Sequence, residues 1–314
     1  MKKIFTFLLS AVFVLGCNKT TTDSNTALST DKLTITYVTS PLNVPSIVEK
    51  NKEFFKSETP NINLNYAEIT SGAEQTLALA SNDVQILHAV GGSSIIAAAA
   101  AGADIKVINM YSRAPKAFAM YSKNNNLISA EDLKGKTIAG PFGTNLHELL
   151  VSYLKNSNLN LEDVNFINMN IPDALAALEA NKIDVALLGG PAAYKAAKLG
   201  HHKISDGTGY IEAIIAVCTS QKYYVEHKDV VDKFIETQKN IRKFMKNNTE
   251  ETRKIVMEEL KIDEEAFNTM YGQYDFDIEI KDKDIEGLQK TADFMYEAKM
   301  IKNPVDVKEL ILDI

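Results

Sequence analysis

Apolar positions along the chain follow two rhythms: short apolar runs of strand length, and longer stretches in which apolar residues recur every three or four positions. Leu33 to Val38 predicts a first strand. It empties into a loop, Thr39 to Pro45, whose Pro45 suits the first turn of a helix carrying Ile47, Val48, Phe54 and Phe55 on its apolar face. Ile62 to Ile69 predicts a second strand, Ser71 to Glu74 a helix start, and Asp83 to Leu87 a third strand. Gly91-Gly92-Ser93-Ser94 reads as a turn before a helix over Ile95 to Ala101, and Ile105 to Met110 and Ala117 to Tyr121 predict further strands. Ser129-Ala130-Glu131-Asp132 fits a capping-box start and opens a second unit. Lys136 to Ala139, Val164 to Met169 and Asp184 to Leu188 are its strands, separated by helices starting near Asn145, Pro172 and Pro191, and Lys203 to Gly209 and Glu212 to Cys218 lead out. Beyond Thr219 the period becomes helical throughout, in Asp229 to Lys246, Glu250 to Leu260, Asp263 to Tyr271 and Asp284 to Met300. This return segment is expected to pack back on the first unit.

Strands alternating with helices indicate an α/β chain with a largely parallel sheet. Ligands of such sheets sit outside the carboxyl ends of the strands. Three turns fall there: Gly91 to Ser94, Gly140-Pro141-Phe142-Gly143-Thr144-Asn145, and Gly189-Gly190-Pro191. Each joins a strand to a helix start, where unpartnered N–H groups and the helix dipole favour an anion. Gly143 allows close backbone approach, and Thr144 and Asn145 add neutral donors. A Thr or Asn in that place can also be only a helix cap.

The first residues carry an address. Met1-Lys2-Lys3 is a basic head, Ile4 to Gly16 is almost wholly apolar, and Cys17 follows. The apolar run is too short to span a bilayer, so residues 1–16 read as a signal segment. Val14-Leu15-Gly16-Cys17 resembles a bacterial lipobox, which implies cleavage before Cys17 and lipidation of its thiol. Several acyl chains, at about 0.8 kcal/mol per buried CH₂, would anchor the chain to the membrane of the cell envelope, facing the periplasm or exterior. Residues 17–30, rich in Thr and Ser, read as a flexible tether. Without residues 1–16 the net formal charge moves from −7 to −9, because Lys2 and Lys3 leave and no acid does. An acidic chain without a basic run argues against a nucleic-acid partner. Cys218 would be the remaining thiol, set in an apolar run as a small core residue.

A family likeness enters with particular residues. Asp83-Val84-Gln85-Ile86, Gly92-Ser93-Ser94, Asp132 to Leu150 (D-L-K-G-K-T-I-A-G-P-F-G-T-N-L-H-E-L-L), Pro172-Asp173-Ala174, Asp184-Val185-Ala186 and Leu288 to Met295 with Ile301 resemble the taurine, aliphatic-sulfonate and nitrate binding proteins of ABC importers. That superfamily also contains binding proteins for thiamine-precursor pyrimidines. The resemblance covers essentially the whole mature chain. It implies a two-lobed α/β fold of the type II periplasmic-binding-protein kind, each lobe a mixed sheet flanked by helices, with the ligand cleft between lobes. Residues 31–118 plus 215–314 would form lobe 1 and residues 119–214 lobe 2. It also implies a small-molecule ligand, an ABC permease and ATPase as partners, and a chain acting as a monomer. It also implies that Ser40, Gly92, Ser93, Ser94, Thr144, Asn145 and the Gly190-Pro191 loop face the ligand, and Pro41, Arg113, Phe142 and Gly143, at the same strand ends, complete the expected set.

Neutral donors at helix starts suit an ionised oxyanion, which must be hydrogen-bonded once it leaves water. A sulfonate of taurine type is the expected ligand, with Phe142 covering its tail. Arg113, at a strand end, could pair with the anion or stand solvated at the rim. Glu68 could hold a substrate amine but reads as solvated, and His147, which could touch the ligand, reads as a packing residue. A planar heteroaromatic is the alternative ligand, needing a clamp from Tyr37, Phe142 and Tyr210. A surface sensor or adhesin is the alternative class. No cofactor or metal is expected: His88 and His201-His202 lack a spaced ligand set. No catalytic residues are assigned, because Gly92-Ser93-Ser94-Ile95-Ile96 is not G-x-S-x-G and no P-loop occurs.

Overall fold

The structure is a computed structural model that describes residues 28–39 and 41–312. Residues 1–16, the lipidation expected at Cys17, and Ser40 therefore lie outside the described residues.

The first part of the chain runs β1 (Lys32–Tyr37), α1 (Val44–Lys52), α2 (Phe54–Glu58), β2 (Asn63–Glu68), α3 (Gly72–Ala80), β3 (Leu87–Gly91), α4 (Gly92–Ala100) and β4 (Lys106–Arg113). A 3-10 turn over Pro115–Ala117 leads into β5 (Phe118–Ser122). Then come β6 (Thr137–Gly140), α5 (Asn145–Lys155), β7 (Asn165–Asn168), α6 (Ile171–Glu179), β8 (Val185–Gly189), α7 (Gly190–Lys198) and β9 (His202–Asp206). The chain returns through β10 (Ile214–Thr219) to α8 (Gln221–Glu226), α9 (Lys228–Asn247), α10 (Thr249–Leu260), α11 (Glu264–Tyr271) and α12 (Asp282–Glu297).

Strand pairing makes two lobes of one plan. In the second lobe the order is β7-β6-β8-β5-β9. In the first, β1 pairs with β2 and β10 lies between β3 and β4. The two pieces meet where Thr36 N–H donates to Ile86 O and Gln85 N–H to Thr34 O, both at 3.0 Å. Read across, the first lobe runs β2-β1-β3-β10-β4, which matches the second strand for strand. The expectation of a largely parallel sheet needs correcting. β10 runs antiparallel to both β3 and β4, and β5 antiparallel to both β8 and β9. Each is the strand by which the chain enters from the other lobe, so it arrives in the opposite direction.

Several boundaries also differ. The third strand is Leu87–Gly91 and not Asp83 to Leu87. Asn82 takes a left-handed conformation, and Asp83 and Val84 donate their N–H groups back to Ala78 O, so the chain is still closing α3 there. Gly92 to Ser94 is the first turn of α4 rather than a separate loop. The start expected at Ser129 is a single 3-10 turn, in which the Asp132 carboxylate accepts the Ile128 and Ser129 N–H groups and the Ser129 hydroxyl. The end of the expected tether is already part of the lobe. Leu28 packs on the core, and Ser29 donates to Asp229 through its N–H at 2.6 Å and its hydroxyl at 2.5 Å.

The return segment packs on the first lobe as its periodicity requires. α9 buries Val230, Val231, Phe234, Ile241 and Met245 along one face, and the Phe234 and Phe55 rings stand 5.6 Å apart. Each such side chain contributes about 1.5–3 kcal/mol on burial. The segment also reaches the second lobe, which its period alone does not show. Lys198 of α7 pairs with Glu265 of α11 at 2.7 Å, and Lys155 of α5 with Glu297 of α12 at 2.8 Å. Among the described residues no helix is long and apolar enough to cross a membrane.

Candidate ligand site between the lobes

The shared plan explains where the site lies. The helices after β1 and β3 in the first lobe and after β6 and β8 in the second start at the same edge, so α1, α4, α5 and α7 point their N-termini at the seam between lobes. Three of them lack the side-chain cap found at α3, α6, α8 and α11, as α2, α9 and α10 also do away from the seam. Ser71, Asn170, Ser220 and Asp263 each accept an N–H of the helix they precede, at α3, α6, α8 and α11. Gly91, Thr144 and Gly189, before α4, α5 and α7, make no side-chain cap. Thr144 instead donates its hydroxyl to Pro141 O at 2.8 Å, closing the turn. The first-turn N–H groups of three helices are thus left to whatever occupies the seam.

Among the described residues, Ser93 and Ser94 meet Asn145 and Gly143 at the seam, Pro41 meets Gly190 there, and Arg113 does not join them. Ser93 Oγ lies 2.9 Å from Asn145 Oδ1, across the seam, and Ser94 donates its hydroxyl to Gly143 O at 2.9 Å. Gly143 takes φ 68, which allows its carbonyl to turn toward Ser94. Pro41 meets the start of α7. A methyl group on Gly190, itself at φ 57, would stand 1.7 Å from Pro41 O, so only glycine fits. Gly92 is buried against Leu288 of α12, and Pro191 occupies the first turn of α7. Phe142 stands 57% exposed at the rim, its N–H donating to Asn168 Oδ1 at 2.9 Å.

Arg113 is the exception. Its Nε and Nη2 donate to the two oxygens of Asp284, each at 2.5 Å, and Nη1 and Nη2 reach the carbonyls of Asp277 and Glu279 at 2.7 and 2.8 Å. Asp284 is only 2% exposed. The guanidinium is committed to α12 and its approach, which removes the reason to aim it at a ligand. Burial alone would raise the Asp284 pKa, but Arg113 and the Lys281 N–H outweigh it and hold the carboxyl below its usual range.

His147 packs as expected for such a residue. Its ring centroid lies 4.5 Å from that of Phe142 and 5.0 Å from that of Phe166, and Nδ1 accepts the Gly143 N–H at 3.3 Å. Burial lowers its pKa to about 4. Glu68 is exposed at the end of β2. The aromatic clamp does not assemble. Tyr37 is buried and donates to Glu259 at 2.5 Å, and Tyr210 packs edge-on against Tyr153. Cys218 is buried and free, with its thiol pKa pushed up by burial.

Sequence reasoning passed over Glu148. It follows Asn145 by three positions, which reads as an ordinary acid in a helix first turn. In the structure it is 4% exposed and its Oε2 lies 3.0 Å from Ser93 Oγ. Burial raises its pKa to about 7, against the hydrogen bonds from Thr291 and Ser93, while Glu212 adds to the rise.

Comparison with known proteins agrees with this arrangement. A Bacillus subtilis protein that carries the name of an aliphatic sulfonates-binding protein is 26% identical over 321 residues, covering 99% of this chain and 95% of its own. The taurine-binding periplasmic protein of Escherichia coli is 32% identical over 160 residues, which is 51% of this chain and 48% of that one. Among solved structures, the alkanesulfonate-binding protein SsuA of Xanthomonas axonopodis pv. citri, bound to MOPS, superposes with a TM-score of 0.81 at 20% identity. That match covers 90% of this chain and 98% of SsuA. SsuA of Escherichia coli superposes at 0.77 and 21% identity, covering 90% and 92%. These likenesses show the two-lobed periplasmic-binding-protein fold. The profile of the NMT1/THI5 like family matches residues 41–252, and the chain belongs to that family.

Proposed function

We propose that the chain is the solute-binding protein of an ABC importer, capturing a small anion, a sulfonate of taurine type, between its lobes. The observation that carries this reading is the convergence of α4, α5 and α7, each without a side-chain cap, on one interlobe seam. Three helix starts aimed at one place supply backbone donors and partial positive charge without a fixed cation. The names of the relatives support the ligand class and an extracytoplasmic place of work. The dispersal of Tyr37, Phe142 and Tyr210 favours an oxyanion over a planar heteroaromatic.

The protein carries solute and does no chemistry. Lobe 1 comprises residues 31–118 and 215–314 and lobe 2 residues 119–214, as the change of sheet between β4 and β5 and between β9 and β10 supports. A lipid on Cys17 anchors it, and the tether ends before Leu28. The loaded lobes dock on a permease that works with an ATPase.

Thermal unfolding of residues 20–314 with taurine, alkanesulfonates, nitrate and pyrimidines tests this. A ligand at about 100 times its Kd adds about 2.7 kcal/mol, an obvious rise in Tm. A sulfonate is expected to raise Tm, and Ser93→Ala with Asn145→Ala to abolish the rise. A shift by pyrimidines alone would overturn the sulfonate reading, and silence across the set would favour a sensor or adhesin.

A further inference from the structure

Hydrogen count at the α4–α5–α12 junction points to a second property of the same seam. Ser93 Oγ has one hydrogen and two oxygen neighbours, Asn145 Oδ1 at 2.9 Å and Glu148 Oε2 at 3.0 Å. The Thr291 hydroxyl, from α12, also bonds the Glu148 carboxyl. Among the described residues no cation pairs with this carboxyl. α4 brings Ser93 and Ser94, α12 brings Thr291, and the segment before β10 brings Glu212, another acid. On α5 itself, His147 lies between Phe142 and Phe166, and Lys155 is paired with Glu297. Of the two other deeply buried acids, Asp284 has Arg113, and Glu49 accepts the Phe55 N–H and the Tyr66 hydroxyl. A bare carboxylate here would be unpaired, desolvated, and set beside a cradle built for an anion.

We propose that Glu148 is a positioning residue that works as a neutral carboxylic acid: when the lobes close, its carboxylate takes one proton from solvent, Glu148 Oε2–H donates to Ser93 Oγ, and Ser93 Oγ–H donates to Asn145 Oδ1. Ser93 and Asn145 are thereby held across the seam in one orientation, and capture of an anionic ligand is coupled to proton uptake. The proposal rests on the closing cleft described under the proposed function. The burial that moves the Glu148 pKa to about 7 acts in the same direction.

The test is calorimetry of taurine and ethanesulfonate binding at pH 6 and pH 9, in buffers of different ionisation enthalpy. Close to one proton is expected to be taken up at pH 6 and almost none at pH 9. Kd should rise about tenfold per pH unit between about pH 5 and 7 and level off above. Glu148→Gln, which keeps the shape of the neutral acid, should show no uptake and a flat pH profile, and Glu148→Ala should bind weakly at every pH. Uptake unchanged in Glu148→Gln, or absent from the wild-type chain while a sulfonate binds, overturns the proposal. The second result would mean an ionised Glu148 with the Asn145 amide turned over, and it would leave the sulfonate reading intact. If neither sulfonate binds, that reading fails, and ¹³C-carboxyl titration of Glu148, assigned by its loss in Glu148→Gln and made in a chain cross-linked shut between α7 and α11 through Lys198→Cys and Glu265→Cys, decides the proposal. Titration near pH 7 supports it, and titration in the ordinary carboxylate range overturns it.

Discussion

Arg113 and Asp284 show one way to bury a charge in this chain, and Glu148 shows the other. The fork of Arg113 holds both Asp284 oxygens, so each charge is neutralised and each is bonded. Removing one partner strands the other in a dry site. Arg113→Ala is therefore expected to cost about 3 kcal/mol in urea unfolding while leaving sulfonate affinity near the wild-type value. Arg113→Lys should recover only part of the loss, because an ammonium cannot hold both oxygens at once. A large loss of affinity in a stably folded Arg113→Lys chain would return Arg113 to the ligand site. The pair also has an acid limit. The Asp284 pKa is held below its usual range, so its stabilisation is present above the unfolded carboxylate pKa and is lost as pH falls through the folded one.

At the scale of elements, a helix start does different work according to its cap. Ser71 and Asn170 cap α3 and α6 with their side chains. Ser71→Ala or Asn170→Ala should each cost about 1 kcal/mol of stability and leave ligand binding unchanged. Thr144 has a favoured capping side chain yet bonds Pro141 O, so Thr144→Ala should act on the shape of the turn rather than on helix capping. Gly190 is the sharpest case. A methyl group there meets the Pro41 carbonyl from the other lobe and strains a left-handed backbone besides. Gly190→Ala should lower unliganded stability by about 1 kcal/mol and abolish the ligand-induced rise in Tm, because the closed seam no longer fits. A full ligand-induced shift in that variant would show that Pro41 and Gly190 need not meet when ligand is held.

Across the whole molecule, four buried titratable groups oppose one another. Burial lowers the pKa of His88 and of His147 to about 4, so these residues bind fewer protons folded than unfolded, and stability rises with pH from about 4 to the ordinary histidine range. Burial raises the pKa of Glu49, and of Glu148 wherever the seam is closed, to about 7, so these bind more protons folded, and stability falls with pH from the ordinary carboxylate range to about 7. Each group fully shifted across a window contributes about 1.4 kcal/mol per pH unit, and the signs cancel in pairs. Their summed contribution should be nearly flat between about pH 5 and 6.5. Urea unfolding of a Glu49→Gln, Glu148→Gln chain should expose a stability that climbs with pH over that interval. An unchanged slope would mean that the two carboxyls are hydrated in the folded chain.

The order of strands and helices and the glycine turns at strand ends are local properties, and the sequence determined them by itself. Periodicity and turn chemistry act over a few residues and are written there. The likeness to solute-binding proteins was legible for the same reason, because its motifs are those strand ends and helix starts. The tertiary structure decided what depends on partners far away in the chain. It set β5 and β10 antiparallel to their neighbours, moved β3 along to Leu87–Gly91, spent Arg113 on Asp284 and brought Pro41 onto Gly190. It also buried Glu148 beneath Ser93 and Thr291, residues 55 positions before it and 143 after it in the chain. Desolvation of a side chain is set by what packs over it, and no local pattern around Asn145-Leu146-His147-Glu148 records what that will be.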